Sequence, residues 1–196
     1  MTSRDQILSS IRKALKHEPL PPPPPVLLRE APKEFLVEQF TRALEALGGQ
    51  VVVVKTTEEA QAAVDKALNG RTFIQSTRTF SREEVAATEV GITSADYALA
   101  DTGSLVIFHE PRLLSLLPPC HIAVIEESRI VASLDDVFRL RPLPAEESSA
   151  MVVITGPSRT ADIEMRLVRG VHGPGEIHVI IIEDVTHSDL NTSHQL

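Results

Sequence analysis

Two turns in this chain are rich in hydroxyl groups, and both border apolar runs of strand length. Hydroxyls, free backbone N–H groups and a guanidinium are the donors with which proteins bind a carboxylate or a phosphate. The predicted anion-binding residues are Thr102, Gly103, Ser104, Ser158, Arg159 and Thr160. Ordinary turns use the same residue types to satisfy their own backbone, so a purely structural role is the alternative at both turns.

Three titratable side chains follow the second turn and are the predicted catalytic residues: Asp162, Glu164 and His172. An imidazole titrates near neutral pH, so His172 could move a proton or orient a bound anion, with either carboxylate assisting. The carboxylates are two positions apart and diverge on a helix, so they do not form an acid–base pair. Their structural alternative is a favourable interaction with the helix dipole.

No metal site is predicted. The single cysteine, Cys120, excludes a disulfide within the chain and a cluster held by four thiolates. It begins an apolar run and is predicted to be a small buried side chain rather than a nucleophile. The adjacent His121 would point to the opposite face of a strand, and His178 lies inside a predicted strand, where a structural role is expected.

The polar turns require a scaffold of alternating strands and helices. Apolar runs at 51–54 and 177–182 predict strands buried in a mainly parallel sheet, while the periodicity of 35–47 and 58–68 predicts helices. This alternation is typical of a Rossmann-like α/β fold in which helices flank a layered sheet. Such sheets bind ligands at the carboxyl ends of their strands, and the polar turns would form one pocket there if they converge.

Two local expectations concern how those turns are held. Thr160 is predicted to cap a helix that runs to about Val168, so that the helix N-terminus faces the second turn. The strands of the middle segment, 90–108, are separated by little more than a turn. They predict antiparallel pairs on the same sheet.

The predicted organisation has four parts. Residues 1–16 form an amphipathic N-terminal helix, and 17–33 form a proline-rich linker of polyproline type. Residues 34–184 form the α/β domain, and 185–196 form a flexible tail. The terminal helix would dock on its own domain, on a second copy in a homodimer, or on a partner.

Composition excludes several classes of protein. A hydrophobic fraction of 42% supports a packed core, and a net charge of −8 argues against binding to nucleic acid or an anionic membrane. No apolar run is long enough to cross a bilayer, and the first residues lack the apolar core of a secretory signal. A cytoplasmic location is expected.

Three stretches of the chain carry a resemblance to a known family. Residues 90–105, 112–119 and 155–164, the last with 171–174, resemble the signature of the lactate-utilisation (LUD) domain family, in particular its member type without clusters. The resemblance implies a fold similar to the NagB/RpiA/CoA-transferase group. It also implies oxidation of L-lactate to pyruvate together with two iron–sulfur partner proteins, which would carry the clusters, while this chain binds no cofactor.

Other functions stay open. The sequence lacks the Gly-x-Gly-x-x-Gly fingerprint of a dinucleotide site, and its side chains cannot accept two electrons without a carrier. A non-catalytic assembly or regulatory subunit, with the terminal helix as its docking arm, is therefore one alternative. A stand-alone transferase-like or isomerase-like enzyme is another, suggested by analogy of fold.

Overall fold

The computed structural model describes residues 3–14, 35–75, 80–108, 112–142, 148, 150–160, 168–169 and 173–184. The α-helices in these ranges are α1 (Ser3–Ala14), α2 (Leu36–Ala46), α3 (Thr57–Leu68), α4 (Arg82–Ala86) and α5 (Leu134–Leu140). The strands are β1 (Gln50–Val54), β2 (Phe73–Gln75), β3 (Val90–Ser94), β4 (Tyr97–Leu99), β5 (Ser104–Ile107), β6 (Cys120–Glu126), β7 (Ile130–Val131), β8 (Val152–Ile154), β9 (Arg159–Thr160), β10 (Val168–Arg169) and β11 (Glu176–Ile182).

A parallel sheet of five strands forms the centre, in the order β1-β11-β6-β3-β2. Helices cover both of its faces, which confirms the predicted α/β class. Phe40 and Leu44 of α2 pack on one face against Val179, and Val64 and Leu68 of α3 pack on the other face. The two faces separate because successive side chains of a strand point in opposite directions.

A second sheet, in the order β7-β4-β5-β8, corrects the prediction for the middle of the chain. The antiparallel pairs β4–β5 and β5–β8 are present, but they lie in this separate sheet. The chain passes from the first sheet to the second after β3, where Ala95 N–H donates to the Val124 carbonyl at 3.0 Å and Asp96 N–H donates to the Val106 carbonyl at 2.9 Å. The predicted polar turn at 102–104 therefore belongs to the second sheet.

The edge strands correct a second expectation. Strand β1 belongs to the parallel sheet as predicted and pairs with β11, but it lies at the edge of the sheet, and Val52 and Val53 are 46% and 40% exposed. A continuous run of valines therefore does not place this strand in the middle of the sheet. The central position belongs to β6, whose Cys120, Ile122 and Ala123 are fully buried.

The prediction of a helix from Thr160 to about Val168 is wrong at both ends of that segment. Thr160 lies in β9 and Val168 lies in β10, and the two residues are partners in an antiparallel pair. Residues 161–167 lie outside the described part of the chain. The local sequence favoured a capped helix, but the pairing of the flanking residues draws both ends into extended backbone.

Helix α1 differs from the other helices because none of its residues is buried. Its apolar residues Ile7 and Ile11 are 60% and 49% exposed. Among the helices that the structure describes, none has the length and apolar character needed to span a membrane.

Candidate functional site

A chain of three hydroxyl groups joins the turn between β4 and β5 to the end of β8. The Thr102 Oγ1 and Ser104 Oγ atoms are 2.8 Å apart, and Ser104 Oγ lies 2.7 Å from Thr155 Oγ1. Ser104 is buried, whereas Thr102 and Thr155 are exposed. We call these three residues the hydroxyl junction. Ser104 has a hydroxyl neighbour on each side, so it can accept from one and donate to the other, while Thr102 and Thr155 have one neighbour each within the junction.

Gly103 holds this turn against helix α2. Its φ is +66°, and a Cβ atom there would lie 2.8 Å from Ala43 C and from Leu44 Cα. Residues with a side chain rarely adopt this backbone conformation, and the backbone of α2 leaves no space for a Cβ atom. Close packing therefore explains Gly103 without a ligand.

The loop after β8 packs on the C-terminal end of α2. A Cβ atom at Gly156 would lie 2.9 Å from Leu47 Cβ, and the exposed Arg159 side chain donates a hydrogen bond from Nη2 to the Leu47 carbonyl. This carbonyl belongs to the negative end of the helix dipole, which attracts a cation. Arg159 thus lies at the C-terminal end of a helix, and not at the helix N-terminus that the sequence suggested.

The same loop contacts the turn before β11. Ser158 N–H donates to the Pro174 carbonyl at 2.8 Å, and Gly175 N–H donates to the Pro119 carbonyl at 2.9 Å. Because Pro119 and Gly175 immediately precede β6 and β11, this contact lies at the amino edge of the parallel sheet. Ser158 and the 173–175 turn therefore do not lie at the carboxyl ends of the strands, where a pocket shared by the polar turns would have formed.

The predicted catalytic residues Asp162, Glu164 and His172 lie outside the described residues, and so does the side chain of Thr160. Their roles stay predictions. Of the other predicted residues, the structure brings Thr102 and Ser104 together with Thr155, a residue that the prediction omitted. Its position between a strand and a glycine was the available signal.

The stretches that carry the family resemblance lie against one another in the fold. Residues 90–105 contact 155–164 through Ser104 and Thr155, and 155–164 contacts the described part of 171–174 through the Ser158–Pro174 hydrogen bond. A Cβ atom at Gly173 would lie 4.0 Å from Leu116 Cδ1, and one at Gly91 would lie 2.9 Å from the Leu114 carbonyl carbon. Stretches that are remote in sequence are therefore one region of the fold.

A different set of reactive side chains lies at the amino edge of the parallel sheet. Cys120, Glu176 and His178 each offer one ligand atom, and these atoms all lie within 4.8 Å of one another. We call these residues the amino-edge cluster. Arg71 donates from Nη1 to Glu176 Oε2 at 3.0 Å and from Nη2 to the Ala67 carbonyl at 2.8 Å, so it ties the cluster to α3.

Sequence reasoning missed this cluster because its members come from two strands that are more than 50 residues apart. The available signal was the spacing of Glu176 and His178, since residues two apart in a strand share a face. The neighbour Cys120 could be added only once β6 was known to pair with β11, with Cys120 opposite Glu176.

Burial and charge perturb the pKa values in the cluster. Removal from water raises the pKa of the Cys120 thiol to about 11, and burial lowers the pKa of His178 against the opposing effect of Glu176. The hydrogen bond from Arg71 lowers the pKa of Glu176. At neutral pH the cluster therefore holds a thiol, a neutral imidazole and a carboxylate.

His121 occupies the opposite face of β6 and is fully buried. Its Nε2 lies 2.9 Å from Thr93 Oγ1, while its Nδ1 is buried without a hydrogen-bond partner among the described residues. Burial lowers the pKa of this imidazole to about 4. His121 is therefore neutral in the folded protein at physiological pH.

The sequence matches a known family and several known proteins. Residues 67–182 match the LUD domain. The chain is 41% identical over 109 residues to Lactate utilization protein C of Halalkalibacterium halodurans, which covers 52% of this chain and 47% of that protein. It is 41% identical over 115 residues to Lactate utilization protein C of Shouchella clausii, with 56% and 49% covered. The chain thus spans about half the length of these two relatives.

The fold has a counterpart of known structure. A DUF162 family protein from Deinococcus radiodurans superposes with a TM-score of 0.64 over 78% of this chain and 99% of the other, at 21% identity. That likeness supports the fold alone. The match to the LUD domain covers more than half of the sequence and includes all the stretches that carry the resemblance, 90–105, 112–119, 155–164 and 171–174. The chain belongs to the LUD domain family.

Proposed function

We propose that this chain is a cytoplasmic subunit of an L-lactate utilisation system. In this system L-lactate is oxidised to pyruvate, and two iron–sulfur partner proteins carry the electrons. The observation that carries the proposal is the contact of 155–164 with 90–105 and with 171–174, all stretches that mark the family, together with relatives that are named Lactate utilization protein C. The sequence contains one cysteine, so the thiolates that hold the clusters would come from the partners.

The role of this chain in the system would be to bind the small carboxylate at the hydroxyl junction. Thr102 and Thr155 are the exposed ends of the hydroxyl chain, and Ser104 can donate to only one of them. One end hydroxyl therefore keeps its proton free to donate to a carboxylate. Arg159 is also exposed, so its guanidinium can hold the Leu47 carbonyl and a carboxylate oxygen at once. Asp162, Glu164 and His172 keep their proposed role of orienting the ligand or moving its proton.

Reconstitution of the complex tests the proposal. The purified iron–sulfur partners are mixed with L-lactate and a dye that accepts electrons, with and without the full chain. We expect dye reduction only when the chain is present. Equal rates without it would contradict a role in the oxidation.

A binding measurement separates the carboxylate site from the complex. L-lactate and pyruvate should raise the melting temperature of the full chain, and the variant Thr102→Val should lose most of this increase. Thr88→Val is the matched control, because Thr88 Oγ1 donates to the Glu84 carbonyl at 2.8 Å, away from the junction. Equal ligand-induced shifts in both variants would remove the junction from the proposed site.

A non-catalytic docking role is the second candidate, and helix α1 favours it. A helix that exposes Ile7 and Ile11 on one side can bury them on a partner subunit. The double variant Ile7→Asp/Ile11→Asp should then weaken assembly with the iron–sulfur partners and leave the shift caused by L-lactate unchanged. Normal assembly of this variant would contradict the docking role.

A further inference from the structure

We propose that the amino-edge cluster is a zinc site. Cys120 Sγ, a carboxylate oxygen of Glu176 and His178 Nε2 are the three protein ligands, and a water molecule on the solvent side completes the coordination. The proposal is independent of the lactate role, because it rests only on the positions and chemistry of these side chains.

The backbone places the ligands on one face of the sheet. Cys120 is the register partner of Glu176 on the neighbouring parallel strand, and His178 lies two residues further along β11. Strand spacing brings register partners within about 5 Å, and residues two apart share a face. Two rigid, central strands therefore hold all three donors before any ion binds.

The distances are close to those of a tetrahedral site. The donor atoms lie within 4.8 Å of one another, and His178 Nε2 is 3.8 Å from Glu176 Oε2. With zinc–ligand bonds of about 2.0–2.3 Å, neighbouring ligand atoms are roughly 3.3–3.7 Å apart. Side-chain rotations that move each donor by about 1 Å or less would close the site, with no change in the strands.

The polar atom of His178 supplies an independent observation. Its Nε2 is buried and has no hydrogen-bond partner among the described residues, since the Glu176 oxygen lies beyond hydrogen-bonding distance. A buried nitrogen without a partner destabilises a fold, and most such groups in proteins are satisfied. A metal ion between His178 and Glu176 would provide the missing partner.

The donor set selects the metal. A thiolate, an imidazole and a carboxylate are ligands of zinc, whereas magnesium and calcium prefer oxygen ligands only. Cys120 is fully buried, while the Glu176 side chain is 57% exposed, so the carboxylate side is open to water. This arrangement fits an ion that is anchored in the sheet and keeps one position towards solvent.

Arg71 is compatible with the ion. Its Nε and Nη2 groups donate to the Leu68 and Ala67 carbonyls at 3.2 and 2.8 Å, so α3 holds the guanidinium in place whether or not Glu176 remains its partner. When zinc binds, the Cys120 thiol loses its proton to solvent and the thiolate bonds to the ion. One thiolate and one carboxylate then offset the two charges of Zn²⁺, and together with the Arg71 guanidinium and the neutral imidazole the group carries a net charge of +1.

Titration of the full chain with Co²⁺ and Zn²⁺ tests the proposal. Co²⁺ should give a thiolate-to-metal charge-transfer band in the near ultraviolet, and Zn²⁺ should abolish this band at a ratio of one ion per chain. The sequence contains only one cysteine, so the band reports Cys120 and not the other histidines of the chain.

Three variants complete the test. His178→Gln should weaken Zn²⁺ binding by at least about 100-fold, because loss of a residue that only supports a ligand already weakens binding by about 10- to 100-fold. Cys120→Ala should lose the Co²⁺ band. Glu89→Gln is the control: its carboxylate binds Thr72 N–H at 2.8 Å at the same sheet edge, and it should bind both ions as the parent chain does.

Two results would overturn the zinc site. One is a parent chain that gives no thiolate band with Co²⁺. The other is a His178→Gln variant that binds Zn²⁺ within about threefold of the parent, which is less than the loss of even a supporting residue causes. Both results can be read even if Cys120→Ala does not fold, because neither depends on that variant.

Discussion

The hydroxyl junction and the amino-edge cluster differ in how far their polar side chains are hydrogen-bonded. At the junction, Thr102, Ser104 and Thr155 are hydrogen-bonded to one another at 2.7–2.8 Å. In the cluster, Cys120 is a buried thiol and His178 Nε2 is buried without a hydrogen-bond partner among the described residues. The junction lies within the stretches that mark the family, whereas the cluster includes Glu176 and His178, which lie outside them.

This difference shows that a family signature and unsatisfied chemistry need not coincide. Polar residues whose hydrogen bonds are complete stabilise a junction between segments that are remote in sequence. Polar residues whose hydrogen bonds are incomplete are costly unless something else binds them. The junction is therefore expected to respond to changes in packing, and the titratable groups beside the cluster are expected to respond to pH.

The largest effect is expected from Gly103→Ala, which tests whether close packing holds the junction. The new Cβ would contact the backbone of α2, as described above, in a conformation with φ +66°. We expect a loss of about 3 kcal/mol or more in the free energy of unfolding. Gly70→Ala is the matched control: its φ is +76° with no atom within 4 Å, so it should lose only about 1 kcal/mol. Denaturant unfolding measures both variants, and equal losses would show that α2 does not confine the turn.

The second effect is a change in the free energy of unfolding with pH, and it should come from the imidazoles in and beside the cluster. The folded-state pKa of His121 is about 4, against an ordinary value of 6.5. As the pH falls, the unfolded chain therefore binds a proton at His121 before the folded chain does. The contribution of the neutral imidazole to the free energy of unfolding is complete above a pH of about 6.5 and is lost as the pH falls towards 4. From about pH 8 to about pH 5 the loss should be about 2 kcal/mol.

The measurement is denaturant unfolding at several pH values in the presence of a chelator. In His121→Gln most of the loss in this pH range should disappear. A smaller contribution of the same sign should remain, because burial also lowers the pKa of His178. An unchanged pH dependence in His121→Gln would contradict the buried neutral imidazole.

A third effect tests the cooperation of hydroxyls at the junction. Ser104→Ala removes the middle hydroxyl, and we expect a loss of about 1 kcal/mol in the free energy of unfolding, independent of pH. A double-mutant cycle with Thr155→Val should give a coupling energy of about 0.5 kcal/mol, because the two hydroxyls share one hydrogen bond. Strict additivity would mean that the hydroxyls act separately.

The smallest effect is expected at the border of the junction. Arg159→Ala removes the hydrogen bond to the Leu47 carbonyl at the end of α2, and the exposed position limits the loss to about 0.5 kcal/mol. Arg42→Ala serves as the control, since its exposed pair with Glu38 should contribute about 0.3 kcal/mol. A melting temperature for Arg159→Ala equal to that of the parent chain would leave the guanidinium without a role at the helix end.

Local patterns predicted most of the elements correctly. Ser81 and Glu84 have the Ser-x-x-Glu spacing of a capping box, and both hydrogen bonds of that box are present, at 2.8 and 3.1 Å. Helix α2 buries Phe40 and Leu44 as its periodicity predicts, although Phe35 is 58% exposed. These features depend on residues within a few positions of each other, so the printed sequence contains the necessary information.

The errors all concern long-range pairing. The run Val51–Val54 predicted a strand, but not that it pairs only with β11 at the edge of the sheet. The residues around Thr160 predicted a capped helix, but Thr160 instead pairs with Val168. Such choices depend on which distant segment supplies the partner, and no local signal specifies it.

By itself, the sequence determined the α/β class, the family, and the alternation of side chains between the two faces of a strand, because alternation and capping are local properties of the backbone. Only the tertiary structure decided that Ser104 meets Thr155 and that Cys120 lies beside Glu176 and His178. Strand order and register bring these residues together, and both are set by the packing of the whole core. The chemistry of this protein therefore depends on neighbours that are distant in the chain.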